Sequence, residues 1–174
     1  MIKKKYINKS KIEIDLGQLF EKYKNQLYLF SLRLSGDSDF AKDIVQDSFL
    51  KIFKYLDKGG IVKNPRSLLF KTAYNIFVDK NRKALIVKEN LFNLFITESE
   101  KSDPGNNYIR DEEGDIIIRE ISKLKEREKA IICLYAENFS YDDMSAILKI
   151  RRSSVGKVLS RSIDKLRKKI KDGG

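Results

Sequence analysis

Apolar side chains recur every three or four residues along most of the chain, which is the spacing of one face of an α-helix. A first helix is predicted over residues 16–34, with a stripe of Leu16, Leu19, Phe20, Tyr23, Leu27, Phe30 and Leu34. Gly36-Asp37 interrupts the pattern, and Asp37 or Ser38 can cap the next helix. That second helix is predicted over residues 39–56, with a core stripe of Phe40, Ile44, Val45, Phe49, Ile52, Phe53 and Leu56.

A third helix is predicted from Pro65, capped by Asn64, to at least Lys83. One of its stripes, predicted to face the core, is Leu69, Ala73 and Ile76. A flanking aromatic stripe is Phe70, Tyr74 and Phe77. Aromatic rings beside cations suit unpaired nucleic acid, because bases stack on rings while amines meet phosphates. Membership of the core explains Phe70 and Phe77 equally well, so both interpretations stay open.

The C-terminal part has the spacing of a helix-turn-helix motif. Residues 116–138 predict two helices broken near 123–125. Ser140 caps a short helix that ends at Leu148, and Asp143 stands three residues on, as in a capping box. After a tight connection over 149–152, Ser153 is predicted to cap a last helix running to about Ile170. The inner seam of that helix is Val155, Leu159, Ile163, Leu166 and Ile170.

Charge divides the chain into three blocks. The 174 residues carry a net charge of +11 and no histidine. Residues 1–90 have 19 basic and 10 acidic side chains (net +9), residues 91–118 have 2 and 7 (net −5), and residues 119–174 have 15 and 8 (net +7). The acidic block contains Pro104-Gly105, a dipeptide that strongly favours a turn or loop. We therefore predict an all-α fold of two small basic helical domains, 1–96 and 115–174, joined by an acidic flexible linker over 97–114.

The basic charge of the chain indicates a polyanion, such as a nucleic acid, as its partner. Its low cysteine content excludes disulfide bonds and cysteine-based zinc sites. Cys133 is the single cysteine, so no disulfide forms within the chain and no Cys/His cluster can hold zinc. We expect neither a metal nor another cofactor. No run approaches the ~18 apolar residues of a membrane span, and the N-terminus lacks the apolar stretch of a signal peptide. The expected location is the cytoplasm, without membrane association.

The last predicted helix is the strongest candidate for DNA binding. Between Lys149 and Lys171 there are ten basic residues and one acid, Asp164. The candidate DNA-binding residues at the turn or on the outer face are Arg151, Arg152, Ser153, Ser154, Lys157, Ser160 and Arg161. Polar groups at a helix N-terminus bind phosphate, and those on the outer face reach base edges. The alternative is an ordinary helical hairpin with a basic solvated face.

The second predicted helix presents a face that is not part of its core stripe. Asp43, Gln46, Asp47, Leu50 and Lys54 share this face. A leucine among acidic side chains on an outward face indicates a protein contact, although a solvated face with one stray leucine fits the pattern equally well.

From about Leu16 onward, the chain resembles the extracytoplasmic-function (ECF) class of RNA polymerase sigma factors, the small two-domain members of the sigma-70 family. Gly36-Asp37 with residues 41–49 (AKDIVQDSF) looks like the conserved region-two helix of that family. Residues 64–69 (NPRSLL), 73–75 and 79–82 are similar to its promoter-reading helix. Residues 140–144 (SYDDM), 153–155 and Arg161 resemble its region four.

The resemblance implies a role for each surface in promoter recognition, DNA melting and transcription initiation. The polymerase-binding residues, which would meet the β and β′ subunits of core RNA polymerase, are Asp43, Gln46, Asp47 and Leu50. The residues that would capture and melt a −10-type element are Lys63, Asn64, Arg66, Lys71, Asn75, Asp79 and Arg82. The last helix would read a −35-type element, and the acidic linker would imitate nucleic acid near the RNA path. An anti-sigma factor or a recruiting protein is a further expected partner.

The chain departs from the family pattern at four positions. Leu68 stands where the family often has Trp, Lys149 where it often has Gly, Arg151 where it often has Pro, and Val158 where it often has a basic residue. The altered turn predicts that −35 contacts go more to phosphates than to bases.

Two other functions compete with this interpretation. A stand-alone helix-turn-helix regulator explains residues 119–174 but gives residues 16–90 no role. A nuclease would need general-base or metal-binding groups, but histidine is absent and the acidic side chains cluster in the predicted linker, a poor place for a preorganised site. The sequence therefore predicts a protein that is not an enzyme.

Overall fold

The computed structural model describes residues 5–7, 13–92, 117, 119–121 and 123–172, with side chains over 15–83, at 117 and 119–121, and over 123–171. Its N-terminal unit consists of α1 (Leu16–Ser35), α2 (Ser38–Asp57) and α3 (Pro65–Phe92). Its C-terminal unit consists of α4 (Glu126–Ala136), α5 (Tyr141–Leu148) and α6 (Arg152–Asp172). The predicted all-α fold class is confirmed, and no helix in this described part is long and apolar enough to cross a membrane.

Short polar side chains determine where the first three helices begin. Asp15 caps α1 by accepting a hydrogen bond from the backbone N–H of Gly17 at 2.9 Å. Gly36 ends this helix at φ 71°, a left-handed conformation that glycine adopts without steric cost. Asp37 then caps α2 through the backbone N–H of Phe40 at 2.7 Å. Asn64 caps α3 through the backbone N–H of Ser67 at 3.1 Å, so the predicted helix starts are confirmed.

The aromatic stripe of α3 belongs to the core. Phe70 and Phe77 are fully buried, and Tyr74 is only 8% exposed. Phe70 packs against Phe30 of α1 with ring centroids 5.0 Å apart. Of the two interpretations left open by the sequence, the structure therefore selects packing over base stacking for these rings.

Phe20, in the predicted apolar stripe of α1, and Phe53, in the predicted core stripe of α2, lie partly exposed at the surface. Phe20 is 40% exposed and Phe53 is 37% exposed. Phe20 meets Phe49 edge to face, with ring centroids 4.9 Å apart, at one side of the α1–α2 pair. Helix α3 packs against this pair through Phe70, which contacts Phe30, and through Phe77, which contacts Phe40.

The helix-turn-helix motif forms as predicted, with one correction at its second helix. Ser140 caps α5 by accepting from the backbone N–H of Asp143 at 3.1 Å. Ser153 was predicted to cap the last helix, but α6 already begins at Arg152, so Ser153 lies within its first turn. The backbone N–H of Ser154 bonds to the carbonyl of Arg151 at 2.9 Å, which moves the start of the helix one residue earlier.

The N-terminal and C-terminal units pack directly against each other. Helix α3 contacts α5, α1 contacts α4, and their buried residues form one continuous apolar cluster. Phe139, in the connection between α4 and α5, packs on Phe70 of α3 with ring centroids 4.8 Å apart. The division at residues 96 and 115 stays a prediction, and the linker predicted over 97–114 lies outside the described residues.

A small ribbon that the sequence did not predict precedes α1. Strands β1 (Lys5–Ile7) and β2 (Glu13–Asp15) pair antiparallel, with Lys5 opposite Asp15. Each strand has three residues, and β2 leads directly into α1. Such short strands carry too little alternation to be recognised from a sequence pattern.

Replacing Lys149 by glycine should raise the free energy of unfolding by up to about 1 kcal/mol. Lys149 ends α5 at φ 54° and ψ 46°, a left-handed conformation that costs a residue with a Cβ roughly this much. Urea unfolding followed by circular dichroism measures the change. Lys168→Gly, an exposed position inside α6, is the matched control and should lose about 1 kcal/mol. If Lys149→Gly were destabilised as Lys168→Gly is, the inference that the backbone at Lys149 is strained would be wrong.

Candidate functional site

One outward face of α2 carries the four residues predicted to bind polymerase. Asp43, Gln46 and Leu50 are exposed, Leu50 by 46%. Asp47 is half-exposed and forms an ion pair with Lys80 of α3 at 3.1 Å. The structure thus brings all four side chains onto the outward side of α2, with Asp47 at the edge that faces α3.

An apolar groove adjoins this face and was not predicted. It has a volume of about 670 Å³ and lies between α1 and α2. Its apolar lining residues are Leu16, Phe20, Val45, Phe49, Leu50 and Phe53. Gln46 and Leu50 belong to both the groove and the predicted polymerase face. Exposed aromatic rings around such a groove are typical of a protein-binding surface. Leu50 was the only sequence signal for it.

Four of the residues predicted to bind a −10-type element share one face of α3. Lys71, Asn75, Asp79 and Arg82 follow each other at helical spacing. Lys71 and Asn75 are half-buried, whereas Asp79 and Arg82 are exposed and lie 3.7 Å apart as an ion pair. Lys63 and Asn64 are exposed in the segment before α3. A cationic edge beside polar amide groups is a surface that can hold a sugar–phosphate backbone.

Arg66, the remaining residue of this group, points toward the C-terminal unit. Its guanidinium donates a hydrogen bond of 2.6 Å to the backbone carbonyl of Glu137. It also lies 4.2 Å from the centre of the Phe139 ring and 4.0 Å from the Glu137 carboxylate. The structure therefore separates Arg66 from the face formed by Lys71, Asn75, Asp79 and Arg82.

The outer face of α6 presents polar and basic side chains to solvent. Ser153, Lys157, Ser160 and Arg161 are exposed at spacings that place them on one side of the helix. Arg151 is exposed just before the helix, and Ser154 is half-buried. Arg152 is exposed too, but its Nε donates to Asp142 of α5 at 2.8 Å, which braces the two helices of the motif.

Two titratable groups at the contact between the units are held in fixed states. Burial raises the pKa of Asp143, but hydrogen bonds from Ser67 and Ser140 and the charge of Arg66 outweigh it, so the pKa lies below its ordinary value. Asp143 is therefore ionised at neutral pH. Burial raises the pKa of the Cys133 thiol to about 11, so the sequence interpretation of an inert core cysteine fits its surroundings.

No family model matches the chain. The chain is 22% identical to the ECF RNA polymerase sigma factor SigM of Bacillus subtilis, over 87% of this chain and 93% of SigM. It is 25% identical to SigW of the same organism, over 99% of this chain and 98% of SigW. It is 28% identical to the ECF sigma factor EcfG of Rhodopseudomonas palustris, over 83% of this chain and 76% of EcfG.

The fold is similar to that of the sigma factor RpoE from Bartonella quintana, solved in complex with the anti-sigma factor NepR. The TM-score is 0.71 at 24% sequence identity, over 90% of this chain and 97% of that one. The fold is thus the two-unit helical arrangement of a sigma factor. Over most of its length the chain is thus similar to several ECF RNA polymerase sigma factors, and this similarity supports a function in transcription initiation.

Proposed function

We propose that this chain binds core RNA polymerase through the outward face of α2 and the groove beside it. The observation that carries this proposal is the exposed set of Asp43, Gln46 and Leu50 against an apolar groove of about 670 Å³. A stand-alone DNA-binding regulator has no need of such a surface. In protein interfaces a central apolar area supplies much of the affinity, and the polar groups around it fix the orientation of the partners. The β and β′ subunits are the proposed partners.

We propose further that the N-terminal unit captures a −10-type element and the C-terminal unit a −35-type element. Supporting the first assignment are the exposed Asp79 and Arg82 on α3 and the exposed Lys63 and Asn64 in the segment before it. Supporting the second is the exposed row of Ser153, Lys157 and Arg161 on α6. The lysine, arginine, amide and hydroxyl groups among them can donate hydrogen bonds to phosphates and base edges, and the Asp79 carboxylate can accept one from a base amine.

The chain acts by binding and positioning, not by catalysis, in this proposal. The related proteins are sigma factors, which are transcription regulators, and the cytoplasm is the compartment in which it would meet polymerase. An anti-sigma factor is a proposed partner, because the similar RpoE structure contains one.

Co-purification with bacterial core RNA polymerase, at moderate salt and without DNA, tests the proposed function. The wild-type chain should form a stoichiometric complex. The variant Gln46→Ala/Asp47→Arg should retain its fold and lose at least about tenfold in affinity, because a cation and a truncated side chain replace the contact groups. Lys22→Ala, which changes an exposed side chain of α1 outside the proposed polymerase face, serves as the control.

Two outcomes would contradict the proposal. Unchanged binding by Gln46→Ala/Asp47→Arg would show that the partner surface lies elsewhere. No complex with the wild-type chain, together with tight binding of duplex DNA by the free chain, would favour a stand-alone regulator.

A further inference from the structure

An arginine at the beginning of α6 is held from two sides by the neighbouring helix α5. Arg152 is the first residue of α6, and its Nε donates a hydrogen bond of 2.8 Å to the Asp142 carboxylate. Its guanidinium carbon lies 5.1 Å from the centre of the Tyr141 ring. Tyr141 and Asp142 are the first two residues of α5, so both supports come from a single helical turn.

The ring of Tyr141 is itself fixed in place. It is half-buried and packs against the apolar core of the C-terminal unit. On its other side it lies beside Gly156, one turn after Arg152 on α6, where an added methyl group would be only 3.5 Å from the ring. The ring is therefore a firm surface for the guanidinium group, and the Asp142 carboxylate fixes the rotation of that group on the surface.

The outer part of the Arg152 side chain is available to a partner. The side chain is 57% exposed, and in the part of the chain that the structure describes its Nη1 and Nη2 atoms form no hydrogen bond or ion pair. These two nitrogens form a planar fork that can donate to two acceptors at once. Such acceptor pairs are the O6 and N7 atoms of guanine and the oxygens of a phosphate group.

Folding stability gives little reason for the contact between Asp142 and Arg152. The Asp142 side chain is 82% exposed, and exposed ion pairs stabilise proteins only weakly, because water competes for both groups. The carboxylate also stands beside candidate DNA-binding residues, where its charge repels phosphates. An effect on the orientation of Arg152 would explain an acidic side chain at this position.

We propose that Asp142 and Tyr141 are positioning residues for promoter recognition, which hold Arg152 so that its Nη1–Nη2 fork meets a pair of acceptor atoms on the DNA. Because less side-chain freedom is lost on binding, an arginine that is already ordered binds more tightly than a free one. This role rests on the proposed function, since it deepens the −35-type contact assigned to α6. It adds Arg152, as an oriented donor, to the row that begins at Ser153.

Asp142→Ala in the complex with core polymerase tests the proposal on the mapped promoter. We expect its DNA affinity to fall about fivefold, although the substitution removes a negative charge from the DNA-binding side. The matched control is Asp164→Ala, which removes the same charge from an exposed position of α6 where the carboxylate pairs with Arg167 of the same helix. The control should bind as tightly as wild type or slightly tighter. Asp142→Ala binding as tightly as the control would show the proposal to be wrong.

A double-mutant cycle separates positioning from a structural role of Asp142 in its own helix. In an Arg152→Ala background, Asp142→Ala should cause no further loss of affinity, because the group on which it acts is absent. A general weakening of α5, which loses an acid from its first turn, would persist in that background and would contradict the proposal. Asp142→Asn keeps an oxygen that can accept from Nε, and it should recover much of the affinity lost in Asp142→Ala.

The aromatic support is tested in the same way. Tyr141→Phe keeps the ring and should bind DNA like wild type. Tyr141→Leu keeps an apolar side chain without a flat surface, and it should weaken binding when Arg152 is present but not in the Arg152→Ala background. Equal losses in the two backgrounds would remove Tyr141 from the proposal.

Arg152→Ala identifies the acceptor pair. A guanine contact predicts that the preference for that base disappears at one promoter position, while affinity for promoters that lack the guanine is unchanged. A phosphate contact predicts a uniform loss over all sequences and a slope of log affinity against log salt that is smaller by about 0.9. If neither the base preference nor the salt slope changed, Arg152 would not contact DNA and the proposal would fail.

The wild-type chain shows which of the two proposals has failed. If it forms no complex with polymerase, the proposed function is wrong. The variants are then compared as free chains on a duplex DNA of random sequence at low salt, where basic proteins bind through phosphates. Weaker binding by Asp142→Ala than by Asp164→Ala would still support the positioning role, and equal affinities would exclude it.

Discussion

Replacing Phe70 by alanine should lower the free energy of unfolding by about 3–5 kcal/mol, because it removes a fully buried ring and leaves a cavity. The ring packs against Phe30 at 5.0 Å on one side and against Phe139 at 4.8 Å on the other. One substitution therefore weakens both the N-terminal unit and its contact with the C-terminal unit. Urea unfolding followed by circular dichroism gives the change in free energy.

Phe53→Ala is the matched control for this measurement. Its ring is 37% exposed at the apolar groove, so truncation removes less buried surface and leaves a space that is open to solvent. We expect a loss clearly smaller than that of Phe70→Ala. Similar losses in the two variants would mean that Phe70 is not at the centre of a shared core.

Replacing Lys157 and Arg161 together by alanine should weaken promoter binding by the polymerase complex about tenfold or more at moderate salt. Both side chains are exposed on the outer face of α6, where each can meet a phosphate. Each phosphate contact that is lost also lowers the slope of log affinity against log salt by about 0.9. The double variant should therefore show a slope smaller by about 2, measured by DNA binding over a range of salt concentrations.

Lys22→Ala/Lys125→Ala removes the same charge from exposed positions outside the proposed DNA surfaces. This control separates a local contact from a general loss of positive charge. If both double variants changed the salt slope equally, α6 would have no special role. The promoter itself is first identified by mapping transcription starts with the wild-type chain.

The helices and the motif could be predicted because their signals are local. The break at Gly36, the caps Asp37, Asn64 and Ser140, and the apolar stripes all depend on neighbours within a few residues. Ser153 shows the limit of this approach, because a serine near a helix start caps only if the preceding residue is not already helical.

The contact between the units could not be predicted from the same signals. Arg33 and Glu137 are 104 residues apart in sequence, and Asn64 and Asp143 are 79 apart. Periodicity shows which side of a helix is apolar but not what will cover it. For this reason Phe53 was assigned to the core although it lines a groove, and the role of Phe70 stayed open.

The pairing of Phe70 with Phe139 also has a consequence for synthesis on the ribosome. The two residues are 69 positions apart in the chain. At translation rates of about 5–20 residues per second, Phe139 is made roughly 3–14 s after Phe70. During this interval the nascent N-terminal helices present an uncovered aromatic surface and an unoccupied Arg66. The Phe70 ring therefore gains its Phe139 neighbour only when the second half of the chain has been made.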